Sequence, residues 1–384
     1  MSPSGYRDHV LDAPDPAPAP SAPTTVAEAG ERETLRRILA ELPEAPTLLG
    51  PGDDSAIVAA PDGRVVISTD TMIEGPDFRL YWSGPEQLGR KAMASNLADI
   101  AAMGARPTGI VMALAVPRET PVDFAAGIAR GCAIGLERLA PGCGIVGGDL
   151  ATASEVTIAV TVFGSLDGRD AVLRSGARPG DTVAVAGGLG RAAAGLHLLF
   201  AGIDRMDRSA GRFAVGDRTA GILAALGAAG AGGGLEALIA AQLAPEPPLR
   251  AGVLAARAGA TAMMDLSDGP LLDATRLAEA SGVCIRIDST TVAADAARLV
   301  PTLADALGLG QEEARELALR LVLGGGEDHS LLATFPEGAP LPEPFRAIGR
   351  VAPAGPAPVL VDGEPAEPAG WDPYVGMAGD GGAS

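Results

Sequence analysis

Residues 85–107, PEQLGRKAMASNLADIAAMGARP, decide how this chain is built. Met93, Leu97 and Ile100 recur at helical spacing, and Gly104 with Pro107 closes the segment, which predicts one helix with an apolar side. Ser95, Asn96 and Asp99 share another side of that helix. Asp is a poor helix former, and the neighbouring positions are mostly Ala, Leu and Met, so a polar stripe here is expected to be aimed at something. Residues 108–117, TGIVMALAVP, follow at once and predict a strand.

The same alternation extends both ways. Upstream, GERETLRRILAELPE (30–44) sets Leu35, Ile38, Leu39 and Leu42 at helical spacing. SAIVAA (55–60) and RVVIST (64–69) are two short apolar runs joined at Asp62-Gly63, as in a hairpin. Downstream, residues 121–141 predict a helix, and CGIVGGD (143–149) and EVTIAVTVFGSL (155–166) predict strands. A second unit opens with the polar turn RSGARPGD. It continues through strand TVAVAG, helix GRAAAGLHLLFAG, an Ala/Gly-rich stretch, strand TAMMDL, helix GPLLDATRLAEASG and strand VCIRID, and LALRLVLGGGEDHSLLATF and FRAIGRV finish it. Strands and helices in this mixed order predict an α+β fold of two sandwiches rather than one doubly wound sheet. The expected boundaries are a Pro/Ala-rich disordered tail over 1–27, an N-terminal domain over 28–166, a C-terminal domain over 167–376 and a flexible tail over 377–384.

Length and composition narrow the function. The 384 residues leave room for two domains, and 47% hydrophobic content with a mean hydropathy of +0.23 fits a globular chain. No stretch reads as a membrane span, and the start lacks the apolar core of a secretory signal, so a cytoplasmic protein is expected. The net charge of −19 argues against nucleic acid or an anionic membrane as partner. Cys132, Cys143 and Cys284 are scattered, with no CxxC, and indicate neither a disulfide framework nor zinc.

The informative feature is where the acids fall. Asp53 and Asp54 stand side by side in GPGDDSAIV (50–58), RVVISTD ends in Asp70, CGIVGGD in Asp149, TAMMDLSD in Asp265 and Asp268, and LVLGGGED in Glu327 and Asp328. Each is an apolar run, a sharp turn, then a carboxylate. Singly, each has a plain reading, since Asp forms turns and Ser267 or Asp268 is a natural N-cap for the helix that follows. As a set with Asp99 they pose an electrostatic question. Two charges about 4 Å apart repel by about 4 kcal/mol at an effective dielectric near 20. A convergent cluster would partly protonate unless cations bound there. Oxygen donors from Asp, Ser and Thr, without His or Cys, suit Mg²⁺ or Ca²⁺, and Mg²⁺ completes its shell with water and substrate phosphates. Gly147-Gly148-Asp149 would let a phosphate approach the backbone closely. This grammar favours metal-assisted phosphoryl transfer.

Other routes to that chemistry are missing. The only lysine, Lys91, lies outside any GxxxxGK[ST], so there is no P-loop. The protein-kinase signatures and GxSxG are absent, and His9, His197 and His329 suggest no hydrolase triad. His197, inside a helix, is expected to be a packed side chain. AVAGGLGRAAAG (184–195) imitates a dinucleotide fingerprint, but no second strand ending in an acid follows at the required distance. It reads as a tight strand-to-helix turn whose helix N-terminus faces an anion.

Seven motifs stand in order: GPGDDSAIV, STDTMIEGPDF, GRKAMASNLADIAAMGARP, GIVGGD, RSGARPGD, MMDLSDG and GGGEDHSLL. With them the chain resembles the thiamine-monophosphate kinase family, in the superfamily of aminoimidazole ribonucleotide synthetase, from about residue 28 to Trp371. The resemblance implies transfer of the γ-phosphate of ATP to the phosphate of thiamine monophosphate, with several Mg²⁺ ions. It also implies a homodimer whose N-terminal domains pair into a barrel. Carried over by position, Asp54, Ser68, Thr69, Asp70, Asp99, Asp149, Asp265 and Asp268 would be metal ligands. Gly148, Asp149, Arg174 and Ser267 would contact ATP, and Asp77, Glu327 and Trp371 would hold the thiamine moiety, Trp371 by stacking on a cationic ring. No covalent nucleophile is implied, and an ionised phosphate acceptor needs no strong general base.

Three departures stand out. Asp77-Phe78 replaces the family's usual His-Phe, which puts an acid near the substrate phosphate. GGDTT becomes Gly147-Gly148-Asp149-Leu150-Ala151, and GEDYEL becomes Glu327-Asp328-His329-Ser330. Two other readings compete: a sister enzyme of the superfamily with another phosphorylated substrate, and a non-catalytic nucleotide- or metal-binding regulator, which Asp77 favours. The intact acid set speaks against the regulator, because an idle site has no physical reason to keep mutually repelling carboxylates.

Overall fold

A computed structural model describes residues 24–44, 47–48, 58–202, 212–213, 219–226 and 233–370. Helix α1 (Val26–Ala40) begins at a capping box: Thr25 Oγ1 accepts the Glu28 N–H at 3.2 Å, and Glu28 Oε2 accepts the Thr25 N–H at 2.9 Å. Then come β1 (Val66–Ile73), α2 (Pro85–Ala102), β2 (Arg106–Val116), α3 (Val122–Leu139), β3 (Ile145–Thr152) and β4 (Thr157–Ser165). The four strands form one sheet in the order β1-β4-β2-β3, antiparallel except for the β2/β3 pair. Of the expected hairpin, 55–57 lie outside the described residues, and 58–60 are not strand. Two expectations about strand ends are corrected: Asp70 lies within β1, opposite Val160, and Asp149 within β3, opposite Ala113. Pairing with a neighbouring strand carries the ladder past the acids, and no local signal shows that.

Helix α2 is what joins the layers. Its side chains Leu88, Met93, Leu97 and Ile100 are wholly buried, each worth about 1.5–3 kcal/mol on that count. A Cβ on Gly131 would lie 2.1 Å from the Glu86 carbonyl oxygen, and one on Gly89 2.1 Å from that of Ile128, so α2 and α3 meet backbone to backbone. These glycines cost helix propensity and are kept by the close approach.

The second sheet comprises β5 (Thr182–Ala186), β6 (Ala262–Leu266), β7 (Val283–Ile287), β8 (Ser330–Phe335), β9 (Arg346–Pro353), β10 (Val359–Val361) and β11 (Glu364–Pro365). Its order is β11-β10-β7-β9-β5-β8-β6, antiparallel apart from β7/β10. Helices α4 (Arg191–Ala201), α5 (Thr219–Ala225), α6 (Gly234–Leu243), α7 (Arg250–Arg257), α8 (Pro270–Ser281), α9 (Ser289–Leu307) and α10 (Gln311–Gly324) accompany it. Helix α9 carries Pro301 in its interior and has no counterpart among the elements expected from the sequence. Its buried Val292, Leu299 and Leu303 hold it on the core despite that break. One buried cluster runs from Met93, Leu97 and Ala101 of α2 into Ala255, Met263, Leu331 and Phe335. Helix α2 therefore packs on both sheets' layers; of its polar stripe Ser95 and Asp99 are half-buried, while Asn96 is buried and donates to the Ala92 carbonyl of its own helix at 2.9 Å. The architecture is the expected mixture of α and β.

Candidate active site

Strand periodicity sets the first side of the site. Ser68 and Asp70 project from one face of β1 and Thr69 from the other. Ser68 Oγ donates to Asp99 Oδ2 of α2 at 2.6 Å, which fixes that face toward the helix. Thr69 instead donates to the Val160 carbonyl at 3.0 Å and meets Thr161 Oγ1 at 3.0 Å, so its hydroxyl is engaged on the far side. Asp70 takes the N–H of Thr71 at 2.8 Å.

The second side comes from β6 and the turn after it. Asp265 is buried in β6, with its Oδ2 3.4 Å from Nδ1 of the buried His329. Asp99 lies within the field of Asp265: burial first, then the Asp265 charge, with Asp70 adding to it, pushes its carboxyl up to about 6, against the Ser68 hydrogen bond. Asp70 of β1 and Asp265 of β6 thus both act electrostatically on Asp99 of α2. Asp149 is exposed on β3. Gly148 beside it admits no side chain, because a Cβ there would stand 2.1 Å from the Met112 carbonyl oxygen. Arg174 is exposed in the loop before β5, where its carbonyl accepts from Ser281 Oγ at 2.7 Å. Asp54 and Trp371, like Asp53, lie outside the described residues.

The motifs at 265–269 and 324–329 pack backbone against backbone. The Glu327 N–H donates to the Ser267 carbonyl at 2.8 Å, and the His329 N–H to that of Leu266 at 3.2 Å. A Cβ on Gly326 would sit 2.4 Å from the Ser267 oxygen. Asp268 is paired with Arg276 Nη1 at 2.5 Å. The expectation that Ser267 or Asp268 caps the next helix is corrected: the N-cap of α8 is Gly269, without a side-chain bond. The wholly buried Asp273 reaches back instead, its Oδ2 taking the N–H groups of Asp268 and Gly269 at 3.0 Å each. Burial, then Asp265 and Asp268, pushes the Asp273 carboxyl up to about 7.

The third side holds the residues expected to meet the thiamine moiety. Glu327 has a left-handed backbone (φ 67) and pairs with Lys91 Nζ of α2 at 2.8 Å. Burial would raise its carboxyl, but Lys91, aided by Gln242 and His329, holds it below the ordinary range. Asp77 Oδ2 accepts the Ile73 N–H at 2.7 Å; burial leads in pushing its carboxyl up, and the charges of Glu327 and Asp70 add to that. Lys91, Gln242, Asp273, Arg276 and His329 are site neighbours that sequence reasoning misses, and Asp328, one of the acids it picks out, proves to be an anchor and not a donor to the site. Lys91 alone carries a signal, as the single lysine of the chain set in an apolar helix. His197 is in a helix as expected, but it is exposed and not buried in the core. The anion expected at the 184–195 turn is the chain's own: Asp328 accepts the N–H groups of Arg191 and Ala192 at 3.1 and 2.8 Å.

Among the described residues, no three His, Cys, Asp or Glu side chains stand close enough to enclose one metal ion. The donors are oxygens spread along a boundary, with like charges facing one another. That set fits hard divalent cations held by one or two carboxylates each, their shells completed by water and phosphate.

An α+β chain with this order of elements has the make-up of the aminoimidazole ribonucleotide (AIR) synthase type. Residues 52–166 match the family "AIR synthase related protein, N-terminal domain". Thiamine-monophosphate kinase of Mycobacterium tuberculosis (strain ATCC 25618 / H37Rv) is 41% identical over 371 residues, 96% of this chain and 95% of that protein. The chain belongs to the thiamine-monophosphate kinase family. Its fold is similar to that of the thiamine-monophosphate kinase from Stenotrophomonas maltophilia K279a, at a TM-score of 0.67 and 29% identity over 87% of this chain and 95% of that one. It is likewise similar to AaThiL complexed with AMPPCP and TMP, at a TM-score of 0.65 and 29% identity over 90% and 97%. No helix among the described residues is long and apolar enough to cross a membrane.

Proposed function

We propose that this chain transfers the γ-phosphoryl group of ATP to the phosphate of thiamine monophosphate, giving thiamine diphosphate and ADP. The observation that carries this is the 41% identity to a thiamine-monophosphate kinase over 96% of the chain, and the Ser68–Asp99 bond that joins β1 to α2 within the field of Asp265 and Asp70 supports it. AMPPCP and TMP occupy a related structure of the same fold, which supports this pair of substrates.

Ser68, Asp70, Asp99, Asp149, Asp265 and Asp268, with Asp54, are the residues that would hold Mg²⁺; the Thr69 hydroxyl, engaged by the Val160 carbonyl on the other face of β1, does not join them. When bound, Mg²⁺ supplies charge neutralisation for the triphosphate and for the charge that shifts during transfer. Ser68 orients the Asp99 carboxylate through its 2.6 Å bond. Gly148 lets β3 close against the Met112 carbonyl beside Asp149, and with Arg174 and Ser267 it would receive ATP. The Ser267 backbone is tied to Glu327, so the nucleotide and thiamine sides of the site are mechanically linked. Glu327, Asp77 and Trp371 would hold the thiamine, with the ionised Glu327 facing the cationic thiazolium ring. The acceptor phosphate is already ionised, so the residues need only align it; proton abstraction is not required.

Asp77 bears on the regulator reading. Its carboxylate accepts the N–H of Ile73, the last residue of β1, which lessens repulsion of the substrate phosphate and supports a working kinase. Among the described residues strand β1 is an edge of the first sheet, and exposed Val65, Ile67 and Ile73 flank or line it, which supports pairing of N-terminal domains across a homodimer. Three buried free thiols fit a reducing cytoplasm. Incubation with ATP, Mg²⁺ and thiamine monophosphate should yield thiamine diphosphate by chromatography and stop on adding EDTA. Nucleotide binding without product refutes the assignment.

A further inference from the structure

We propose that Lys91 is a positioning residue for thiamine monophosphate: from behind Glu327 it fixes the carboxylate that meets the substrate's cationic ring. This inference rests on the reading of Glu327 as a thiamine-binding residue. The chain has 29 basic residues, 28 of them arginine, and its single lysine sits on α2 with 5% exposure. A buried ammonium is tolerated only when paired and hydrogen-bonded, and Lys91 is both. Its Nζ lies 2.8 Å from Glu327 Oε1 and donates to the Gln242 carbonyl at 3.3 Å. Gln242 Nε2 donates to the other carboxylate oxygen, Oε2. Both oxygens of Glu327 are therefore gripped, one from α2 and one from α6, while its backbone is held by the bond to Ser267.

The burial pattern gives the pair a direction. The Lys91 side chain is 6% exposed and that of Glu327 31%. Gln242 is 4% exposed. The cation and the amide stand behind, and of the three side chains Glu327 is the one that reaches outward, so Lys91 acts through Glu327 and does not touch the ligand. A compact ammonium on a four-carbon stem reaches that depth from α2, whereas a guanidinium carries a broader fork with five donors to satisfy. The geometry thus accounts for a lysine at this one place in a chain that otherwise uses arginine.

A purely structural ion pair makes different predictions, which steady-state kinetics of Lys91→Met, Glu327→Gln and the double variant separate. Lys91→Met should raise the KM for thiamine monophosphate by about tenfold or more and leave that for ATP within about twofold. In the Glu327→Gln background, Lys91→Met should change the thiamine monophosphate KM by less than about twofold, because the group it acts through is gone. Should Lys91→Met alone be insoluble, the double variant, which removes both charges, carries the test: its KM values should match those of Glu327→Gln. A Glu327→Gln defect without one in Lys91→Met overturns this inference alone, as does an equal rise in both KM values, which marks a structural pair. An additive Lys91→Met effect in the double variant overturns action through Glu327. An unchanged KM in Glu327→Gln removes Glu327 from the substrate site and overturns both readings.

Discussion

Asp328 offers a sharp energetic test, because one carboxylate both caps a helix and anchors the loop that carries Glu327. It accepts the N–H groups of Arg191 and Ala192 at the start of α4, 136 residues away from the second of them in sequence. Asp328→Ala deletes that acceptor. Water can replace it at the exposed Arg191 but not at Ala192, which is wholly buried. The lost cap costs about 1 kcal/mol, and the orphaned N–H costs about 1–3 kcal/mol more. Asp328→Asn keeps an acceptor and drops the charge. Burial pushes the Asp328 carboxyl from 3.8 up to about 6, over the opposing pull of the three N–H groups at Gly190–Ala192. Ionising it therefore costs the folded state: the wild type's advantage over Asp328→Asn is full below pH 4 and is lost as the pH rises through about 6. At about 1.4 kcal/mol for each pH unit between those two values, and with roughly half of that screened by solvent, the swing is about 1–3 kcal/mol. Urea unfolding at pH 5 and 7.5 should find Asp328→Ala below Asp328→Asn by about 2–4 kcal/mol at both values. The gap between Asp328→Asn and wild type should move in the variant's favour at the higher pH. Equal stability of the Ala and Asn variants, or a wild-type gap indifferent to pH, would refute the reasoning.

Asp70→Asn should abolish turnover while leaving the unfolding midpoint near that of the wild type; near-normal rates would remove Asp70 from the cation site. Gly148→Ala forces a Cβ to within 2.1 Å of a strand carbonyl that cannot yield, so it should lower the melting temperature and weaken ATP binding together. Asp273→Ala orphans the N–H groups of Asp268 and Gly269, one of them buried. It should cost about 2–4 kcal/mol in urea unfolding and raise the KM for ATP, whereas an unchanged KM would separate the Ser267–Gly269 turn from the nucleotide.

Much of the molecule is visible in its one-dimensional pattern. The helical spacing of Met93, Leu97 and Ile100 gives α2, and the apolar runs give β2, β4, β5 and β8, because periodic burial is a local property of the chain. The acids of the site are visible for the same reason: Asp70, Asp99, Asp149 and Asp265 interrupt apolar surroundings in which a charge needs a cause. Residues that work from behind leave almost no trace. Asp273 looks like any helical acid and Gln242 like nothing in particular, since each owes its role to a partner brought close only by folding, and Asp328, visible as one of the acids, shows no sign of the helix it caps.

Sequence by itself determined the element order, the mixed class, the acidic constellation and, through seven ordered motifs, the family. Tertiary structure decided which acids face which. It turned the Thr69 hydroxyl away from Asp70, set Arg276 on Asp268, and put Lys91 behind Glu327. The physical reason is that strand and helix periods are fixed by bonds between near neighbours. The charge on a buried carboxylate is fixed by whatever lies across the boundary, and along this chain those groups are scores of residues apart.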